Sequence, residues 1–220
     1  METPKQRIIM ECLKDDRSMK IVEKTRRKYM EYQEREKEIL ACAIRLFNER
    51  GYKDATTAAI AKESGISEPI LYKHFENKKD LFLSCFQNIV DELIAYYKVV
   101  YKSHPEDELG YMEGVIRAYV NFVMENPDKS MFLVHLMSYQ NNPDFAPAFN
   151  QFMEASITTI EKALKSAKAN GLINPTVDLH FLAAMFVSQY FTVMAIQNFV
   201  DPVHYTNGAL IQIMKSLMNA

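Results

Sequence analysis

The sequence predicts an all-α chain: a short N-terminal helix-turn-helix unit followed by a larger helical part. Three observations lead there. Nothing along the 220 residues reads as a strand, and helical stretches account for most of the chain. Pro105, Pro127, Pro143, Pro175 and Pro202 fall between the later helical stretches and mark loops. Residues 56–80 spell a short helix, a glycine turn and a second capped helix, the pattern of a helix-turn-helix. The helices are expected at about 36–50, 57–64, 68–75, 78–102, 108–125, 128–139, 147–170, 178–199 and 203–219.

The first of these ends at Gly51, which follows Arg50 in the position where glycine is favoured after a helix. Thr56 or Thr57 then caps the second helix by accepting a backbone N–H, and Ile60 and Ala61 are its buried positions. Ser64-Gly65 closes it with a residue free to take positive φ. Ser67 is placed to cap the third helix, with Glu68 near the positive end of its dipole and Pro69 in the first turn, where a missing N–H does no harm. Leu71 and Phe75, four apart, share the buried face, while Glu68, Ile70, Lys73 and His74 project elsewhere. Asn77 starts the fourth helix, with Asp80 three residues on in the manner of a capping box. Two short helices joined this way present the second to a DNA major groove, which is wide enough to admit it. The seventh helix ends at Gly171 as the first does at Gly51.

A longer run of residues carries a family resemblance. Ile39-Leu40-Ala41-Cys42-Ala43-Ile44-Arg45-Leu46-Phe47-Asn48-Glu49-Arg50-Gly51-Tyr52 leads into Thr56-Thr57. Leu71-Tyr72-Lys73-His74-Phe75 and Asn77-Lys78-Lys79-Asp80-Leu81-Phe82 follow in order. Over residues 36–86 this resembles the TetR family of ligand-responsive transcriptional repressors. The resemblance implies an all-helical homodimer whose variable C-terminal domain binds a small inducer. The domains are then an N-terminal extension or arm over residues 1–34, the helix-turn-helix domain over 35–82 and the ligand-binding and dimerisation domain over 83–220.

The same resemblance assigns roles on the DNA side. Tyr72 and His74, which match the family's tyrosine and histidine in that segment, would hydrogen-bond phosphates, and Lys78 or Lys79 would meet the backbone from the start of the fourth helix. Thr56 or Thr57 offers a hydroxyl and free N–H groups to a phosphate, and Ser67 lies beside the base-reading positions. Those positions are Glu68, Pro69, Ile70 and Lys73. Lys73 can donate to guanine O6/N7, Ile70 can touch a thymine methyl and Glu68 can accept from cytosine N4. Pro69 and Ile70 depart from the small residue and hydroxyl usual in the family, which alters the operator expected. Residues 20–28 add five cations and one anion ahead of the domain, suited to an arm along the DNA backbone or to a loosely helical extension.

From residue 81 onward lie 9 of the 13 methionines, 11 of the 13 phenylalanines and 8 of the 12 tyrosines, a lining suited to an adaptable apolar pocket. Tyr119, Phe122, Met137, Phe152, Met153, Phe186 and Tyr190 are the candidates for that pocket. Asn121, His135, Tyr139 and Gln189 are the candidate polar contacts. A hydrophobic or amphipathic effector fits such a lining, and no cluster of cations is legible as a fixed anion site. Residues 178–219 are the expected homodimer face, through Leu182, Phe186, Phe191, Met194, Ile211, Met214 and Leu217, with the proviso that some of these are core.

Charge and composition narrow the class. Residues 1–80 carry 18 Lys+Arg against 15 Asp+Glu, a net of +3; residues 81–220 carry 8 against 13, a net of −5, giving −2 overall. Cations thus gather with the helix-turn-helix, where phosphates require them. Cys12, Cys42 and Cys85 are odd in number and form no CxxC, so no disulfide framework or zinc site is expected. The segment 181–196 is the most apolar but is interrupted by Ser188 and Gln189, too short for a membrane span. The chain is expected in the cytoplasm. No GxGxxG, GxxxxGK[ST], HExxH or GxSxG occurs, so neither an enzyme nor a cofactor is expected. The competing class is a helical small-molecule-binding module without DNA-binding activity.

Overall fold

The computed structural model describes residues 16–103 and 107–196, together with the isolated positions 212 and 216. Eight helices are described: α1 (Asp16–Asp54), α2 (Thr57–Glu63), α3 (Glu68–His74), α4 (Lys78–Ser103), α5 (Glu108–Glu125), α6 (Pro127–Met137), α7 (Ala146–Ala169) and α8 (Leu179–Ile196). No strand occurs among the described residues. The helix expected at 203–219 lies outside them.

The largest departure from the expected elements is the length of α1. Its packed stripe of Ile39, Leu40, Ala43, Ile44, Leu46 and Phe47 begins near the expected start at 36, yet the helix begins at Asp16. No proline or glycine interrupts residues 16–50, and side-chain pairs one turn apart brace the exposed part: Arg27 with Glu31 at 3.0 Å and Arg35 with Glu38 at 2.7 Å. An apolar stripe reports where a helix packs, not where it starts. The sequence therefore located the docking of α1 and left its extension open between an arm and a loosely helical segment; it is helical from Asp16. At the other end Gly51 takes φ 73 and ψ 166, which breaks the helix and redirects Tyr52 into the core.

The helix-turn-helix is closed by local chemistry. Thr56 Oγ1 accepts from Ala59 N at 3.2 Å, which settles the choice of cap between the two threonines. Gly65, at φ +67, lets Ile66 N donate to the Ala61 carbonyl and Gly65 N to the Lys62 carbonyl, the paired bonds of a Schellman end. Ser67 sits at the N-cap of α3, but its side chain makes no capping hydrogen bond, contrary to its expected role; only its carbonyl accepts, from Ile70 N and Leu71 N. Asn77 Oδ1 accepts from Asp80 N at 2.9 Å, and the Asp80 carboxylate reaches back to Glu76 N at 2.9 Å, one residue earlier than a standard capping box.

α4 runs unbroken across the expected division at residues 82 and 83. Its first half buries Leu81, Phe82, Cys85, Phe86, Ile89, Val90 and Leu93, and packs on α1. An aromatic cluster then ties four parts of the chain together. Phe47 and Tyr52 from α1, Phe82 from α4, Phe132 from α6 and Phe145 from the α6–α7 loop have ring centroids 4.6–6.3 Å apart in neighbouring pairs. Beyond it α5, α7 and α8 pack around the distal half of α4, with α7 and α8 the most extensive pair.

Candidate nucleic-acid interface and ligand cavity

The exposed side of α3 carries Pro69, Ile70, Tyr72 and Lys73, with Ser67 beside them; Ile70 is 39% and Tyr72 46% exposed. α2 braces this face from behind. Thr57 Oγ1 donates to Glu68 Oε1 at 2.6 Å and lies 3.1 Å from the Tyr72 hydroxyl. One threonine thus fixes the first and fifth residues of α3. Its hydroxyl proton is committed to the carboxylate, so in the contact with Tyr72 it is the phenol that donates to Thr57 Oγ1, which leaves the Tyr72 oxygen's lone pairs facing outward.

His74 stands apart from the phosphate-contact role expected for it. Its side chain is only 6% exposed and stacks on Tyr32 with ring centroids 4.1 Å apart. Glu36 approaches its Nδ1 to 3.8 Å, too long for a hydrogen bond, and that nitrogen is buried without a partner. Tyr32 also donates to the Lys73 carbonyl at 3.2 Å. The extended part of α1 therefore clamps the C-terminal end of α3, which sequence reasoning did not find. The one available signal was Tyr32 itself, an aromatic residue in a charged stretch.

The two lysines that open α4 are engaged within the chain. Lys78 Nζ donates to the Lys53 carbonyl at 2.9 Å and lies 4.7 Å over the Tyr52 ring, and burial lowers its pKa. Lys79 Nζ pairs with Asp144 at 2.6 Å in the α6–α7 loop. The Tyr139 hydroxyl from the same loop accepts from Tyr52 N at 3.3 Å, and Asn48 donates to the Asp128 carbonyl at 2.8 Å. The base of the helix-turn-helix is thus latched to α6 and to the start of α7.

A cavity of about 430 Å³ opens between the distal half of α4 and α5, α7 and α8. Val115, Ile160 and Tyr190 are buried and form its floor, Phe152 is half-buried in its wall, and Lys98 and Lys102 are exposed at its rim. Of the seven expected pocket residues, only Phe152 and Tyr190 line it. Tyr119 lies behind Tyr190, donating to its carbonyl at 2.9 Å, and Phe122 and Phe186 are core. Met137 and Met153 are half-buried and line no part of it. The reason is steric: Tyr119, Phe122 and Phe186 are taken up in the core, and the gap opens only where α4 has run past its buried stripe at Leu93.

Among the polar candidates, His135 and Tyr139 border a smaller space of about 230 Å³ against Phe47 and Phe82. Asn121 lies in a groove between α4 and α5, and Gln189 donates to the Met185 carbonyl. Burial pushes the Tyr190 phenol up to about 12 and raises those of Tyr97, Tyr111 and Tyr119, so all four are neutral hydrogen-bonding groups at neutral pH. The lysines at the rim were legible only as a spacing of four on the expected helix 78–102. Of the apolar residues expected in a dimer face, Leu182, Phe186 and Met194 are buried in the chain's own core, and Phe191 is half-buried against Phe149. Phe181 is the large apolar side chain that α8 exposes among the described residues; Ile211, Met214 and Leu217 lie outside them.

The comparisons with known proteins fall on this geometry. Residues 39–85, from the packed part of α1 to the start of α4, match the family model described as bacterial regulatory proteins, tetR family. A TetR-family regulator from Rhodococcus sp. superposes with a TM-score of 0.69 at 17% identity, over 84% of this chain and 99% of that one. Residues 39–85 thus carry a TetR-family DNA-binding domain. Among its sequence relatives are the transcriptional activator FasR of Mycolicibacterium smegmatis and the nucleoid occlusion factor SlmA of Vibrio cholerae. FasR is 29% identical over 56% of this chain and SlmA 28% identical over 70%. The match spans 55% of the length of FasR and 79% of that of SlmA. The structure of FadR from Bacillus subtilis in complex with stearoyl-CoA has a TM-score of 0.69 at 18% identity, over 81% of this chain and 97% of that one. No helix among the described residues is long and apolar enough to cross a membrane, and no group of three metal-ligating side chains occurs among them.

Proposed function

We propose that this protein is a homodimeric, sequence-specific DNA-binding regulator of transcription, a repressor released from a palindromic operator when a small amphipathic ligand fills the cavity. The observation that carries the reading is one helix doing two things. α4 starts beneath the recognition helix, where Lys78 and Lys79 are latched, and its distal half forms one wall of the cavity. Tyr72 and Ser67 meet phosphates, and Pro69, Ile70 and Lys73 face the bases. Glu68, held by Thr57, sets the angle of α3, and His74 positions its end through Tyr32.

A second copy doubles a small contact and sets two reading heads about one helical turn of DNA apart, ~34 Å. The exposed face of α8 around Phe181 is the described part of the expected 178–219 interface. A ligand that parts α4 from α7 displaces the start of α7, and with it Asp144 and Phe145, which touch Lys79, Tyr52 and Phe82. A coupling of ~1–3 kcal/mol lowers operator affinity about 5–150-fold. FadR, whose structure holds stearoyl-CoA, supports an acyl or similar ligand; FasR, named an activator, makes the direction of control part of the test. The SlmA relatives favour a second reading, a DNA-bound factor with a role beside transcription.

The test is selection of bound fragments from a random DNA pool, followed by salt titration of the best site and a reporter placed beside it. The expected result is a palindrome bound at ~10⁻⁸–10⁻¹¹ M with a steep salt slope, and Lys73→Ala costs ~1–3 kcal/mol and relaxes the preference at the base it faces. Weak, non-palindromic binding that is indifferent to Tyr72→Phe and Lys73→Ala overturns the DNA-binding reading and leaves a ligand-binding module. Specific binding without repression of the reporter points to activation or to the second reading.

A further inference from the structure

We propose that the cavity selects an amphipathic anion, its acidic headgroup held between Lys98 and Lys102 at the rim and its apolar body lying along Phe152 and Val115 toward Tyr190. This rests on reading the cavity as the effector site and names the chemistry of its occupant.

The rim carries the first argument. Lys98 and Lys102 are four apart on α4, so they project from the same face, and both line the cavity. Neither forms an ion pair among the described residues, whereas Lys79, Lys129 and Lys165 are paired with carboxylates at 2.5–2.7 Å. The lining contains no Asp or Glu among those residues. Two ammonium groups one turn apart repel each other, and an anion between them removes that repulsion while filling hydrogen-bond donors that a neutral headgroup would leave to water. They stand out on a domain whose net charge is negative.

The interior carries the second. Walls of Ile94, Val115, Phe152 and Ile160 give a ligand body mainly apolar contact, beside the hydroxyl-bearing Ser156, Thr159, Tyr101 and Tyr111. Near the floor the hydroxyl of Tyr97, a residue that also lines the cavity, is shut from solvent against the Tyr190 phenol. The volume of about 430 Å³ lies within the range of small-molecule sites. Cations at the mouth and an apolar interior match a carboxylate or phosphate ester on a medium-length hydrocarbon.

The experiment uses the full chain without DNA and three probes of equal length: dodecanoate, dodecyl phosphate and dodecan-1-ol. Each is titrated by calorimetry below the concentration at which it forms micelles. The expected result is one site per chain, at least one of the two anions binding tenfold or more tighter than the alcohol, and that preference weakening as salt is added. Whichever anion binds tighter assigns the headgroup. In Lys98→Gln/Lys102→Gln the preference collapses to within about twofold while the alcohol binds as before; unchanged binding of the alcohol shows that the cavity is intact. The proposal is overturned if the alcohol matches both anions in the unsubstituted protein, or if the preference survives the double substitution. Operator release is measured separately. Selective anion binding with no change in operator affinity keeps the site and removes only its role in release.

Discussion

Replacing Phe145 by alanine tests whether the α6–α7 loop is the joint between cavity and reading head. The side chain is 1% exposed, and its ring lies 4.8 Å from that of Tyr52, 4.6 Å from Phe82 and 5.5 Å from Tyr139. Truncating a phenylalanine packed on three sides removes its transfer free energy and leaves a hole that rigid aromatic neighbours fill poorly, a cost of ~3–5 kcal/mol. For a domain of this size each kcal/mol lowers the melting temperature by ~2–4 °C, so a fall of about 6–20 °C is expected. Urea unfolding gives the free energy directly, and an unchanged slope identifies the loss as one of native packing. The functional arm is run at a temperature where the variant is still folded. Operator affinity without ligand stays within about threefold, since no DNA-facing residue is altered, whereas the release produced by a saturating anion from the binding series shrinks. Phe145→Leu, which keeps an apolar side chain in the site, loses less on both counts. A destabilisation under ~1 kcal/mol would refute the packing argument. A full ligand response in a folded Phe145→Ala protein would refute the joint.

Three further outcomes follow from the structure. Tyr32→Ala removes both the stack on His74 and the bond to the Lys73 carbonyl and should cost ~1–3 kcal/mol in thermal or urea unfolding, while Tyr32→Phe keeps the stack and loses ~1 kcal/mol. Gly65→Ala meets no atom within 4 Å, so its cost is the left-handed backbone alone, ~1–2 kcal/mol, and Gly65→Asn should recover part of it. Cys85 is buried, and burial pushes its thiol well above the ordinary range; peptide mapping after brief alkylation of the native protein should find Cys85 unmodified and the half-buried Cys42 labelled.

The correspondence between sequence and structure follows the range of the forces involved. The Schellman end at Gly65, the Thr56 cap, the Asn77 cap and the breaks at Gly51 and Gly171 depend on hydrogen bonds between residues two to five apart. They were legible, and most helix ends came within two residues. The start of α1 was not, because a run of charged residues with good helix propensity carries no packing signal to date its beginning. Residue roles were harder. Pro69, Ile70, Tyr72 and Lys73 are exposed as expected, since a short amphipathic helix declares its outer face. His74, Lys78 and Lys79 are spoken for by Tyr32, Lys53 and Asp144, partners contributed by distant parts of the chain.

By itself the sequence determined the all-α class, the helix-turn-helix, its family and the separation of a cationic N-terminal part from an acidic, aromatic-rich remainder, because each is written in spacing, composition or local caps. Only the tertiary structure decided which aromatics line a cavity and which fill the core, and that Lys98 and Lys102 stand at its mouth. It also decided that the α6–α7 loop grips the base of the helix-turn-helix. Those outcomes depend on how far apart four helices settle, a balance of side-chain volumes across the whole domain that no window of sequence contains.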